Sequence, residues 1–360
     1  MARRRLLEEL HLLCSCGAGL EAIAVPACTL LRDLSGADSA SCFWLDDKGQ
    51  PGGFYHDTAP AELKDLFVTR FDDLFSSPDE INMVKLIAAT GPSMGQYIDG
   101  EGRAAFRECN VYRYLAAPLG QHYFFEMRID AGGKGVALMC LWNGIEKPFD
   151  RKLADRLEPA QAMLQRAAAR RDGAVRWQAS GAGPAQLATD MAGEKLYYID
   201  ETAEHLLLSA HLLRQNLPMV GELNDAPLFC RQLAGMVDAG SGNTATLHLP
   251  VFEGRLTATA KRARRVAAEN GDEWQMFVSI EQESPLEVRA VQRAAAYPLT
   301  LLQKEVLLFG MSGGSRTECA QHFGLGAEAL KKHVRAILAA TGCERWQDLP
   351  ELAGAEASRP

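Results

Sequence analysis

Residues 299–338, LTLLQKEVLLFGMSGGSRTECAQHFGLGAEALKKHVRAIL, decide how the chain is read. Three helices follow from local chemistry alone. Thr300, with Gln303 three residues on, makes a capping box, and Leu301, Leu302, Val306, Leu307 and Phe309 give the helix behind it an apolar face. Gly313 and Gly314 end that helix. Ser315 and Glu318 make a second box in front of a short helix carrying Cys319, Ala320 and Phe323, which stops at Gly324. After the turn Gly324-Leu325-Gly326 a third helix runs from about Ala327 to Ala340. Leu330, Val334, Ile337 and Leu338 form its core stripe, while Lys331, Lys332 and Arg335 lie on its other face.

A short helix, a tight turn and a longer helix with a basic face make a helix-turn-helix, and a helix of that size fits the major groove of DNA. The residues resemble the LuxR-type (GerE-like) DNA-binding domain. The resemblance rests on Leu299-Thr300, Glu305-Val306-Leu307, Gly313, Glu318, Ala320, Phe323, Leu325, Leu330-Lys331, His333-Val334, Ile337-Leu338 and Gly342, matched without a gap. It implies an all-α four-helix domain over 299–360. Lys331, Lys332 and Arg335 would face the groove, and His333, Glu328, Ser315, Arg316 and Thr317 complete the candidate DNA-contacting set. A fourth helix from about Arg345 to Leu352 would form a homodimer contact. Such a regulator binds double-stranded DNA, and RNA polymerase is a further partner at a promoter. The chain departs from the family in three places: Gly326 and Ala329 replace the usual Ser and Thr, and Ala340-Thr341 replaces Lys-Leu. A capping or phosphate-binding hydroxyl is thereby lost. From residue 297 to 360, seven Lys and Arg face seven Asp and Glu, so non-specific attraction to phosphate is modest.

The whole chain has 360 residues, 47% of them hydrophobic, and a net charge of −8, as expected of a multidomain protein whose DNA affinity is confined to a local surface. No stretch approaches the ~20 apolar residues of a membrane span, and the start Met1-Ala2-Arg3-Arg4-Arg5 leads into a helix with Glu8 and Glu9 rather than a signal-peptide core. A cytoplasmic location without membrane attachment is expected. Nine cysteines without regular spacing point to reduced thiols.

Upstream, the fold expected is α+β, with two mixed, antiparallel-sheet sensor domains. Residues 1–170 begin with an amphipathic helix (Leu6, Leu7, Leu10, Leu13) and a second around Ala24 to Leu34. Ser39 to Leu45 reads as a strand paired with Gly53 to His56, and three antiparallel strands are expected at Tyr112–Pro118, Gln121–Ile129 and Gly135–Trp142. Lys147-Pro148-Phe149-Asp150 opens a long helix with Leu153, Leu157, Ala160 and Leu164 at heptad-like spacing. This order resembles a GAF-like sensor. Residues 171–185, containing Ala179-Ser-Gly-Ala-Gly-Pro-Ala185, read as a flexible linker. Residues 186–284 open with a strand pair from Thr189 to Asp200 about a Gly turn. A helix at Glu201–Leu208 follows, and a hairpin of Arg255–Val266 and Glu273–Glu281 around Asn270-Gly271 closes the segment. The pattern resembles a PAS domain, on Asp190, Gly193, Tyr198 and Asp200. Ser284-Pro285 marks a boundary, and residues 285–298 read as a helical connector.

Sensors of these kinds bind a small-molecule effector or a partner, but no residue set specifies a cofactor. His56, His122, His205, His211 and His248 are candidate haem or metal ligands without paired spacing, so ordinary hydrogen-bonding roles compete with ligation. Cys14-Ser-Cys16 is a thin metal or redox signal or the frayed end of a helix. Lys261-Arg262-Ala-Arg264-Arg265 either neutralises an anion or is a solvated strand face. Trp44, Trp142, Tyr123 and Phe125 line an apolar pocket or fill a core. No Walker loop, Rossmann glycine fingerprint, Gly-x-Ser-x-Gly elbow or His-Glu-x-x-His pair is present, which argues against an enzyme. A one-component transcription regulator is the leading reading. A protein-interaction regulator with a degenerate helix-turn-helix is its rival.

Overall fold

The computed structural model describes residues 2–46, 48–49, 51–59, 80–98, 100–169, 175–179, 183–210, 212, 225–239, 243–251, 254–264 and 274–354. It is a mixed α+β architecture with two antiparallel sheets and a helical C-terminal unit.

Helices α1 (Ala2–Ser15) and α2 (Gly19–Ser35) lead into β1 (Ser39–Leu45) and β2 (Pro51–His56). Short helices α3 (Met83–Ala88) and α4 (Gly100–Glu108) precede β3 (Tyr123–Ala131), β4 (Lys134–Asn143) and the long α5 (Leu153–Ala169). The four strands lie in the order β2-β1-β4-β3. β1 and β4 are buried along nearly their whole length because both faces of this sheet are covered, which explains why they are apolar runs without alternation. On one face Cys42, Trp44, Phe125, Met127, Ile129, Met139 and Leu141 pack against α1, α2 and α5. Phe43, Phe124, Leu138, Cys140 and Trp142 pack on the other face with residues of α3 and α4. The Trp142 Nε1–H donates to Ser41 Oγ at 2.9 Å inside the sheet. Gly53 is required opposite Trp44, whose ring lies 2.1 Å from where a Cβ would stand.

One expectation for this region is corrected. Residues 112–118 are not a strand: Tyr112–Ala116 form a π-type turn and Ala117–Leu119 a 3-10 turn. They continue the helical path after α4 because Val111, Leu115 and Ala116 drop into the core, so packing overrides the β preference of two tyrosines. The heptad-like stripe of α5 is wholly internal. Leu153, Leu157, Ala160 and Leu164 are buried in the layer that α5 forms with α1 and α2 over the sheet.

The second sheet holds β6 (Ala185–Thr189), β7 (Leu196–Ile199), β8 (Thr244–Val251), β9 (Gly254–Arg264) and β10 (Trp274–Pro285) in the order β7-β6-β10-β9-β8. Helices α6 (Glu201–Ser209) and α7 (Phe229–Ala239) share its core, where Leu187, Leu207, Cys230, Leu233, Ala258 and Val278 meet. Tyr198 and Phe277 are exposed on this sheet. The opening strand pair flanks its Asp190–Gly193 turn, with the first strand ending rather than starting at Thr189. The proposed Asn270-Gly271 turn, Val266 and Glu273 lie outside the described residues, as do His211 and Arg265. Within the segment read as a linker, Trp177–Ala179 form strand β5, which pairs with Glu283–Pro285 of β10.

No break follows Ser284-Pro285. β10 runs directly into α8 (Leu286–Ala296), which joins two cores instead of bridging solvent. Val288 and Val291 belong to the core beneath α1, α2 and α5, whereas Ala290 and Ala294 belong to the core of the C-terminal unit. That unit comprises α9 (Leu301–Met311), α10 (Arg316–Phe323), α11 (Ala327–Thr341), a 3-10 turn Trp346–Asp348 and α12 (Leu349–Gly354). Leu301 and Leu308 of α9 pack against the first core, and His11 Nε2 lies 2.9 Å from Glu305 Oε1.

Candidate nucleic-acid interface

Both capping boxes form. Thr300 Oγ1 accepts the Gln303 N–H at 3.4 Å and Gln303 Oε1 accepts the Thr300 N–H at 2.9 Å. In front of α10, Ser315 Oγ accepts the Glu318 N–H at 3.2 Å while Glu318 Oε2 accepts the Ser315 N–H at 2.9 Å. Those bonds with Ser315 hold the Glu318 carboxyl below its ordinary pKa. Gly324 ends α10 with φ 61°, the left-handed conformation that favours glycine. Gly326 stands at the N-cap of α11 without a side-chain cap, because glycine has no acceptor to offer the first-turn N–H groups.

Val306, Leu307, Cys319, Leu330, Val334 and Ile337 make the core that fixes the three helices. Cys319 is buried there, and burial raises its thiol pKa, which suits packing. Trp346 closes the bundle by donating Nε1–H to the Gly314 carbonyl at 2.8 Å. Gly310 admits this lid, because a Cβ would stand 2.6 Å from Leu349 Cδ1.

The remaining face of α11 is a single exposed stripe of Glu328, Lys331, Lys332, Arg335 and Ala339, at helical positions 0, +3, +4, +7 and +11. Lys331 Nζ lies 3.8 Å from Glu328 Oε1, a loose surface pair. Ser315, Arg316 and Thr317 are exposed at the start of α10. His333 falls off the stripe. It is half-buried on the flank of the core, and its Nδ1 is shut away without a hydrogen-bond partner among the described residues. The fourth helix starts as a 3-10 turn and becomes α12, whose Leu349 and Ala353 are buried against α8 and α9. Arg293 of α8 donates to the Leu352 carbonyl at 2.6 Å, and Pro350 and Glu351 remain exposed.

The candidate sensor residues do not converge. His56 is buried, with Nε2 3.3 Å from Gln121 Oε1 and Nδ1 accepting the Thr58 N–H. His122 bonds the Tyr112 hydroxyl, His248 bonds the Thr257 hydroxyl, and His205 is exposed on α6. Among the described residues no His, Cys, Asp and Glu group is arranged to hold a metal. Burial pushes the Cys14 thiol up to about 12 and the Cys16 thiol up to about 11, which disfavours the thiolate that redox or metal chemistry needs. Lys261 and Arg262 point to opposite faces of β9, and Arg262 pairs with Asp238, so the basic run is not one patch. Trp44 and Phe125 sit under α1, α2 and α5 while Trp142 lies across the sheet, and Tyr123 is stacked under Arg103 at 4.4 Å. These four line no common pocket.

One residue escaped sequence reading. Glu126 of β3 is buried on the Trp142 face, its Oε1 accepting the Gln96 N–H and its Oε2 without a hydrogen-bond partner among the described residues. Burial pushes its carboxyl up to about 7. The signal was an acid inside the apolar run Phe124-Phe125-Glu126-Met127.

No protein-family model and no curated protein matches the chain. Among solved structures, the chain is similar to the phage VqmA–DPO complex, at 14% identity over 49% of this chain and 86% of that one, with a TM-score of 0.22. It is also similar to the sensor region of a sensor histidine kinase, at 15% identity over 73% of this chain and 91% of that one, with a TM-score of 0.19. Superpositions this loose carry no argument about the site. No helix among the described residues is long and apolar enough to cross a membrane.

Proposed function

We propose that the chain is a sequence-specific, DNA-binding transcription regulator whose LuxR-type helix-turn-helix is controlled by GAF-like and PAS-like sensor domains. The observation that carries the reading is the α11 stripe. Lys331, Lys332 and Arg335 project together from a bundle whose opposite face is used for packing, so three exposed cations, one of them in a loose surface pair with Glu328, stand at the spacing a major groove accepts. The Ser315–Glu318 capping box starts α10 and Gly324 ends it at the turn into α11. In this reading a small-molecule or protein signal repacks the helices around α8, a homodimer engages a pseudo-palindromic duplex, and RNA polymerase is met at the promoter. No catalytic turnover is assigned to the chain.

The test is a footprint on DNA upstream of the chain's own gene. Lys331→Ala with Arg335→Ala is expected to abolish specific protection while the fold persists, since both side chains are exposed. An unchanged footprint refutes the reading. The rival, a protein-interaction regulator that no longer reads DNA, is favoured by the uncapped Gly326 and by the balance of seven cations against seven acids over 297–360. A gel shift across a salt series separates them, because only the first shows sequence preference that survives as non-specific binding is screened away.

A further inference from the structure

We propose that Glu328 is a specificity-determining residue, reading a cytosine in the half-site and penalising other bases at that position; the inference rests on the DNA-binding reading above. Glu328 is the acid on the α11 stripe, in the helix's first turn, and its side chain is 90% exposed. From Glu328 to Arg335 the stripe spans about 10 Å, close to the rise of three base-pair steps. One acid and three cations therefore address a short run of adjacent base pairs. The chemistry of each is distinct: a carboxylate accepts from the cytosine N4 amino group, while Lys and Arg donate to guanine O6 and N7. The Glu328–Lys331 pair does not prevent this exchange. At 3.8 Å between exposed side chains it is weak, so both partners can trade it for base contacts.

The acid also has a cost that sharpens recognition. Any register that lacks an amino donor opposite Glu328 leaves a carboxylate in a groove flanked by phosphates, with nothing to offset the repulsion. In a domain whose charges balance, this suppresses non-specific binding further. Glu328 thus acts against wrong sequences as well as for the right one.

The test selects from a randomised duplex library with the full-length protein and with Glu328→Gln, which removes the charge at an exposed position and keeps the side chain's length. For the wild type we expect a base pair at which cytosine is preferred about tenfold or more. In Glu328→Gln that preference is lost and shifts toward adenine, whose N6 and N7 suit an amide, while the other positions keep theirs. Non-specific affinity rises about two- to fivefold at low salt and the gain fades as salt increases. Loss of the cytosine preference alone also supports the inference. A variant with the wild-type preference at every position, or a wild type with sequence preference but no selected cytosine, overturns it and leaves the DNA reading standing. A wild type without any sequence preference overturns the DNA reading itself.

Discussion

The double substitution Val288→Ala and Val291→Ala tests whether α8 is what docks the C-terminal helical unit on the core beneath α1, α2 and α5. Both side chains are at least 95% buried and belong to the core beneath α1, α2 and α5. Each change removes two methyl-sized groups. At about 0.8 kcal/mol per buried CH2 the pair loses about 3 kcal/mol of transfer free energy, and incomplete collapse of the space raises this to about 3–5 kcal/mol. Other contacts across the same junction are slight: the His11–Glu305 pair is partly exposed, and Leu301 and Leu308 are only partly buried. The docking equilibrium should therefore fall by about two to four orders of magnitude. Hydrogen exchange reads this directly. Amides of α1 around Leu10–Leu13 and of α8 are expected to lose protection, while α10 and α11 keep theirs, because Val306, Cys319, Leu330 and Val334 close a separate core. If α10 and α11 lose protection to the same extent as α1, the two units unfold as one block and the docking argument is wrong. Unchanged protection in α1 would show that α8 is not the junction.

Two further predictions concern single groups. Ser315→Ala removes the hydroxyl that accepts the Glu318 N–H and should destabilise the C-terminal unit by about 1 kcal/mol, read as faster exchange in α10 ahead of α11. Glu126 carries a pH signature: its folded pKa is about 7, above the ordinary value of 4.5, so between those pH values the folded chain binds the extra proton. Stability on this account is greatest below about pH 4.5 and falls as pH rises to 7, by up to about 3 kcal/mol. Denaturant midpoints of Glu126→Gln should lack that decline, and parallel pH profiles for wild type and variant would refute the assignment.

What the sequence made legible is local, and what it concealed is relational. The capping boxes at Thr300–Gln303 and Ser315–Glu318 are local and need no knowledge of the rest of the chain, so α9 and α10 behind them are legible close to their observed ends. The stripe of α5 was equally visible as a period, but a period does not name its partner. Leu153, Leu157, Ala160 and Leu164 turned out to face the chain's own α1 and α2. Residues 112–118 mislead because Tyr112 and Tyr114 favour strands while the surrounding core demands a helical turn. Trp177–Ala179 were too short for any period to show, and only pairing with Glu283–Pro285 makes them a strand. At the candidate interface, composition marked the cations of α11, yet it could not separate His333 from Lys332; the one-residue step turns the imidazole toward the core.

The position of α8 limits how a signal could travel. Val288 and Val291 lie on one side of the helix and Ala290 and Ala294 on the adjacent side, so a shift of α8 disturbs the first core and the C-terminal core together. A change in the layer of α1, α2 and α5 reaches α8 by direct packing. One arising on the Trp142 and Glu126 face must first cross the sheet, and β3 offers the route: Phe124 and Glu126 face α3 and α4 while Phe125 and Met127 face the helical layer beneath α8. Alternation along a strand binds these faces into one rigid piece, because neighbouring side chains share a backbone. Such a piece transmits only if the cores on its two sides have more than one arrangement and the signal favours one of them. On the C-terminal side, Ala290 and Ala294 let α8 approach α9 and α12 closely, and the partly buried Leu286 and the Arg293–Leu352 bond fasten it there, so a shift of α8 moves those helices with it.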